Sequence, residues 1–300
     1  MSRGRAQSDN RAKAPSVLVT GCSTGLGLEM ALYLAEQGLD VFASVRNLAR
    51  RDEVVSAAEQ RGVSLQLLEL DVTKPTSIDA AVAAVLAARG HIYGLVNNAG
   101  VGLRGCLEDL HEDEIRDLYE ANLFGTIAVT KRVLPHMRQA KRGRIITIGS
   151  VGGRIATFGL SIYCSSKFAL EGFCEALALE VEPFGLKSIL VEPGIVKTTR
   201  WTTNRGLARD ALNPASSYRD MFLRAEAIAD RLVERSRTRP VDVAKAVHHA
   251  LTARSPKMRY LVGRPASAAV ALRRYLPDAV FERFYFGTLL RQLQPRGEAS

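Results

Sequence analysis

Short apolar runs alternate with stretches of helical periodicity along most of this chain, and no other feature limits its fold so tightly. Residues 16–20 (SVLVT) form a β-rich run that leads into GCSTGLG, after which Leu28, Ala31, Leu32, Leu34 and Ala35 recur at helical spacing. The unit is strand, glycine turn, helix. A second strand is expected over 41–45, a polar helix to about Arg61, and a third strand over 65–70. Residues 76–88 are rich in Ala and Val, with hydroxyls suited to capping at their start, and 93–96 lead into NNAG. One long amphipathic helix is expected over 112–140, a strand over 144–148, a helix over 161–182, and strands over 187–191 and 258–262. Apolar strands that alternate with helices imply an α/β fold, a doubly wound parallel sheet covered on both faces.

At 300 residues, with 47% hydrophobic and 24% charged side chains, the chain can bury a large core and is not disordered as a whole. No apolar run approaches the roughly 20 residues of a membrane-spanning helix. The net charge of +10 lies mostly at the ends, +3 over residues 1–14 and +6 over 254–300, against +1 for everything between. A nearly neutral body argues against a nucleic-acid partner. Cys22, Cys106, Cys164 and Cys174 lack metal-site or disulfide spacing and read as free thiols, and no metal site is expected. With no apolar signal core at the start, the expected location is cytoplasmic. The expected organisation is a disordered basic tail (1–14), one domain (15–265) carrying a substrate lid over about 198–240, and an amphipathic helical extension (266–300).

Gly21, Gly25 and Gly27, with Ser23, Thr24 and Leu26 between them, make a turn whose backbone N–H groups and following helix can face a pyrophosphate. The second strand ends Ala43, Ser44, Val45, Arg46. It offers no carboxylate for a ribose 2′-hydroxyl, whereas the Arg46 guanidinium can pair with a 2′-phosphate, with Arg50 or Arg51 as helpers. NADP(H) is therefore expected over NAD(H). Asp71, with Val72 beside it, and Asn98 lie where strands three and four end; each could meet the cofactor or simply stabilise its turn. Tyr163 and Lys167 are four apart on a helix and share a face. Tyrosine alone titrates at about 10, and a nearby ammonium favours its phenolate, so the pair makes a general acid/base. Ser150 ends the fifth strand, where its hydroxyl can hold a substrate oxygen, and Asn122 could support a proton relay through a buried water.

TGCSTGLG, NNAG, Asn122, Ser150, YCSSK at 163–167 and PGIVKT at 193–198, in this order, resemble the short-chain dehydrogenase/reductase family over roughly residues 15–262. The resemblance implies a Rossmann-like domain in which Tyr163 is the acid/base and, with Lys167, also contacts the cofactor. Lys167 would lower the pKa of that tyrosine and bind the nicotinamide ribose; Ser150 would polarise the substrate oxygen, and Asn122 would act in a relay. It also implies that the segment Pro193, Gly194, Val196, Thr198 holds the nicotinamide, with Val196 near the carboxamide and Thr198 near the phosphates. The run YCSSKFALEGFCEALALEVEPFG, SVGG and Arg46 are similar to the hydroxysteroid and retinol dehydrogenase branch. Family members pair through their two long helices, so a homodimer or homotetramer is implied.

The expected reaction is hydride transfer between NADP(H) and an apolar carbonyl or alcohol of steroid, retinoid or lipid type. Val151, Ile155, Phe158, Leu160 and Trp201 are candidate wall residues, and the lid carries Tyr218, Met221 and Phe222 as well. Two alternatives stay open: a 3-oxoacyl-carrier ketoreductase docking an acidic carrier on arginines, and a non-catalytic NADP-binding sensor. Residues 266–293 mix arginines with Leu and aromatic residues, a pattern that suits an anionic membrane surface, the substrate entrance or ordinary packing.

Overall fold

The computed structural model describes residues 14–198 and 206–294. Seven parallel strands form one sheet in the order β3-β2-β1-β4-β5-β6-β7. They are β1 (Ser16–Val19), β2 (Asp40–Val45), β3 (Gln66–Glu69), β4 (Gly94–Asn97), β5 (Gly143–Ile148), β6 (Leu186–Pro193) and β7 (Arg259–Val262). The helices between them are α1 (Gly25–Glu36), α2 (Arg51–Gln60), α3 (Pro75–Arg89), α4 (Glu112–Tyr119), α5 (Gly125–Gln139), α6 (Ser161–Val181), α7 (Arg219–Arg235) and α8 (Pro240–Thr252). Two more, α9 (Arg264–Tyr275) and α10 (Asp278–Leu293), follow β7.

The strand sequences explain the two-sided core. Alternate residues of a strand face opposite sides, so Val17, Val19, Val41 and Ala43 pack with α1 and α8, while Leu18 and Phe42 pack with α3, α5 and α6. Each of these side chains is at most 2% exposed. β1 pairs with β2 on one side (Val17 with Val41) and with β4 on the other (Val17 with Gly94). The connections run in opposite directions from this point, which opens a crevice at the carboxyl ends of β1 and β4.

Four expectations are corrected. The helix expected over 112–140 is broken by a π-helical turn, Glu120–Phe124, between α4 and α5. The helix expected from Thr76 starts at Pro75, whose missing N–H suits the first position, and its N-cap is Lys74 rather than a hydroxyl residue. The polar lid contains a regular helix, α7, because Phe222 and Val233 bury one face of it. The boundary placed between 265 and 266 falls inside α9, and the extension is two helices, parted where Leu276 and Pro277 leave helical geometry. Trp201 and most of the basic tail lie outside the described residues. No described helix is long and apolar enough to cross a membrane.

Candidate active site

The glycine turn after β1 sits at the crevice. Gly21 and Gly25 have φ of +73° and +62°, the left-handed region where a side chain is strained. A Cβ on Gly27 would lie 2.1 Å from the Gly21 carbonyl oxygen, so only glycine lets α1 begin this close to its own turn. At Gly25, by contrast, nothing lies within 4 Å of where a Cβ would project. Open ground in front of a helix N-terminus fits a pyrophosphate. Thr24 is the N-cap of α1, and its side chain makes no capping hydrogen bond. Leu26 packs on the core beside β1. Cys22 is buried too, its backbone N–H donating to Ser44 O at 2.7 Å; burial pushes its thiol up to about 12.

Two predicted cofactor residues are partly committed to the backbone around them. The Asn98 amide donates to the carbonyls of Thr20 (2.9 Å) and Gly21 (3.0 Å), clamping the glycine turn to the end of β4. Asp71 accepts from the Thr73 N–H (3.0 Å) and hydroxyl (2.7 Å), an Asx turn. These hydrogen bonds and the Lys74 and Arg46 charges hold the Asp71 carboxyl below its ordinary range, against the opposing effect of burial, which is the largest single influence. Val72 fills the space where Gly125 has no side chain, packing the end of β3 on α5. Arg46 is exposed at the end of β2. Of the expected helpers, Arg50 pairs with Glu53 at 2.7 Å.

The catalytic candidates converge from three elements. Asn122 lies in the π turn, a geometry often found at functional sites because it reorients a side chain without ending the helix. Its side chain accepts from Val101 N–H (2.7 Å) and donates to Val101 O (2.9 Å) and Ser166 Oγ (3.3 Å). It thereby joins the loop after NNAG to α6. Ser150 caps the short turn Val151–Gly153 and accepts from Gly152 N–H at 3.0 Å, which leaves its own hydroxyl proton to donate. Tyr163 and Lys167 project from one face of α6, and the Lys167 ammonium lies 5.8 Å from the centre of the Tyr163 ring. Lys167 Nζ is oriented by donation to Ile148 O at 3.0 Å, at the end of the strand that leads to Ser150.

Pro193 ends β6, and Gly194 N–H donates to Val262 O at 2.8 Å. Val196 is buried, and Lys197 N–H donates to Thr238 O at 2.9 Å, so this segment is tied down just where Thr198 begins the lid. Among the candidate wall residues, Leu160 packs with Tyr163, and Phe158 packs with Phe222 of α7. A buried ion pair that sequence reasoning missed, Arg104 Nη2 to Glu226 Oε1 at 2.6 Å, ties α7 to the loop after β4. Its partners are 122 residues apart, and no local pattern marks them.

The C-terminal helix α10 reaches the loop that leads into α6. Phe281 stacks on Tyr285 (centroids 5.3 Å apart) and Phe286 meets both edge-on, while the Tyr285 hydroxyl lies beside Thr157 and the Cys164 thiol. Thr157 belongs to the loop between Ser150 and Tyr163. The Tyr285 hydroxyl is raised above its ordinary value by burial. The signal available in the sequence is the aromatic run itself, which suits a membrane surface, the substrate entrance and ordinary packing alike.

A family model described as short chain dehydrogenase matches residues 15–208. The chain belongs to the short-chain dehydrogenase family. It is 36% identical over 267 residues to the 3-ketodihydrosphingosine reductase of Bacteroides thetaiotaomicron, covering 89% of this chain and 94% of that one. Human 17-beta-hydroxysteroid dehydrogenase type 1 is 36% identical over 251 residues, 81% of this chain and 76% of the relative, in keeping with the hydroxysteroid and retinol dehydrogenase branch. The crystal structure of a short-chain dehydrogenase from Streptomyces avermitilis superposes with a TM-score of 0.75 at 32% identity, covering 94% and 99% of the two chains. The protein is thus an oxidoreductase acting on CH–OH or C=O groups with a nicotinamide cofactor.

Proposed function

We propose that this dehydrogenase interconverts a carbonyl and an alcohol on an apolar, lipid-like substrate and uses NADP(H). The observation that carries the reading is the convergence of Ser150, Tyr163 and Lys167, with Leu160 packed on Tyr163 and Phe158 on Phe222 nearby. Ser150 donates to the substrate oxygen and orients it. Tyr163 gives a proton to that oxygen in reduction and removes it in oxidation, while the Lys167 ammonium stabilises negative charge on the phenolic oxygen. The bound nicotinamide supplies or takes up the hydride. The glycine turn, Asp71, Val72 and the segment from Pro193 to Thr198 would hold it, and Asn98 and Asn122 keep the surrounding loops in place.

An apolar substrate agrees with Leu160 and Phe158 beside the site and with the names of the sphingosine and steroid relatives. For the cofactor, the support is Arg46, exposed at the end of β2 where an NAD-selective site would offer a carboxylate. A homo-oligomer would pair through α5 and α6, whose flanks expose Phe124, Phe168 and Leu179. Titration with NADPH and NADH tests the cofactor assignment. Wild type should prefer NADPH by about tenfold or more, and Arg46→Asp should remove the preference, since an ion pair to the 2′-phosphate becomes a repulsion. Equal affinity of the wild type for both cofactors would contradict it.

A further inference from the structure

A cluster of charge with two buried glutamates lies beyond the active site, further along the face of α6 that carries Tyr163 and Lys167. Glu171 is one helical turn beyond Lys167, only 8% exposed, and Glu192, the residue before Pro193, is 1% exposed. Two arginines bridge them. Arg154, which follows the turn capped by Ser150, lies 3.3 Å from Glu192 Oε1 and 4.0 Å from Glu171 Oε2. Arg259 of β7 reaches Glu171 Oε2 at 3.1 Å, Glu192 Oε1 at 3.5 Å and Glu175 Oε2 at 2.9 Å. The Ser150 turn lies close against α6: a Cβ on Gly153 would sit 2.8 Å from Lys167 O, and one on Gly149 would meet Glu171 Oε1 at 3.7 Å. The cluster therefore joins the segments that carry Ser150, Tyr163 with Lys167, and Pro193.

We propose that Glu171 is a positioning residue which, through Arg154, Arg259 and Glu192, clasps the Ser150 turn, the Tyr163–Lys167 helix and the Pro193 segment in their working register. The proposal rests on the dehydrogenase site described above. Buried ions bridged in this way are costly to separate, because removing one leaves its partners unpaired. Glu171 Oε1 is buried and receives no hydrogen bond from a donor group, and it faces Glu192. Burial and the Glu192 carboxylate raise the Glu171 carboxyl to about 7, so it still holds a proton at a pH where a free carboxyl has lost it. Arg154, Arg259, Glu175 and Cys174 complete the charged and titratable surroundings. A cavity of about 670 Å³, bordered by Arg274 and Tyr275 of α9, gives this proton access to solvent.

The test compares Glu171→Ala, Glu171→Gln and Arg154→Met in cofactor titrations and steady-state kinetics. Glu171→Ala and Arg154→Met should each weaken cofactor binding and lower kcat by about tenfold. Glutamine keeps the shape, donates to Glu192 and accepts from Arg259, so it should restore both values to within about twofold of wild type. The pH dependence has a definite sign. Between 4.5 and about 7 the folded chain holds a proton that the unfolded chain has released, so wild type loses stability as pH rises through that range. Glu171→Gln should lack this loss, and its Tm should gain on wild type from pH 5 to pH 8. Wild-type binding and turnover in both Glu171→Ala and Arg154→Met, or a glutamine variant as impaired as alanine, would overturn the clasp. Cofactor binding needs no turnover, so a chain inactive on every carbonyl tried still tests it, and failure of the clasp leaves the Tyr163 chemistry standing.

Discussion

At Gly27 a single methyl group decides whether the cofactor turn can form. The added Cβ of Gly27→Ala would lie 2.1 Å from Gly21 O and 2.5 Å from the Asn98 amide that clamps the turn, so backbone must move. Overpacking of this kind costs about 1–3 kcal/mol, and the shift falls on the pyrophosphate cradle itself. Gly27→Ala should bind NADPH at least about tenfold more weakly while melting only a few degrees lower, as fluorescence titration and a thermal melt would show. Residues of this kind were legible in the sequence because their meaning is local. Gly21, Gly25 and Gly27 announce a turn, and Tyr163 and Lys167 share a face by spacing alone. Asp71 and Asn98 were found at the right strand ends, but the sequence could not say how far their side chains would serve the backbone. Glu171 has the same spacing from Lys167 as Lys167 has from Tyr163, yet a lone carboxylate on a helix reads as a solvated charge. Its partners arrive from residues 154, 192 and 259, and only the folded sheet brings them together.

Among elements, the strands were the most legible and the helices around the substrate the least. Each strand expected from an apolar run is present within one or two residues, most plainly the five inner strands, whose burial on both faces leaves little room for polar residues. The π turn at Glu120–Phe124 adds one residue to a helical repeat, a change that hydrophobic periodicity cannot resolve over so short a stretch. α10 shows what an amphipathic pattern withholds. Its pattern left a membrane surface, the substrate entrance and ordinary packing open, whereas in the fold Tyr285 reaches Thr157 beside the catalytic helix and α10 packs with α7, Arg224 Nη1 donating to Leu293 O at 2.8 Å. If α10 is a wall of the substrate site, Tyr285→Ala should raise KM for a long-chain or polycyclic ketone by about tenfold and leave a small aldehyde nearly unaffected. Steady-state kinetics on both substrates would check this; equal effects on the two would remove α10 from the site.

On the scale of the whole molecule, the sheet order explains why residues scattered from Gly21 to Thr198 act together. β1 and β4 are neighbours at the centre, their connections diverge, and the ends of β1, β2, β4, β5 and β6 all open toward the same crevice. Alternation of strands and helices indicated a parallel sheet but not the order of its strands, since period and composition are alike for every permutation of the sheet. Tyr163 moves the substrate proton, and its hydroxyl adds little to cofactor affinity beside the many other groups that hold the cofactor. The most direct measurement compares wild type with Tyr163→Phe for NADPH binding and for turnover of an apolar ketone. The account predicts affinity within about twofold and turnover lower by about a thousandfold. Undiminished turnover in the phenylalanine variant would contradict it.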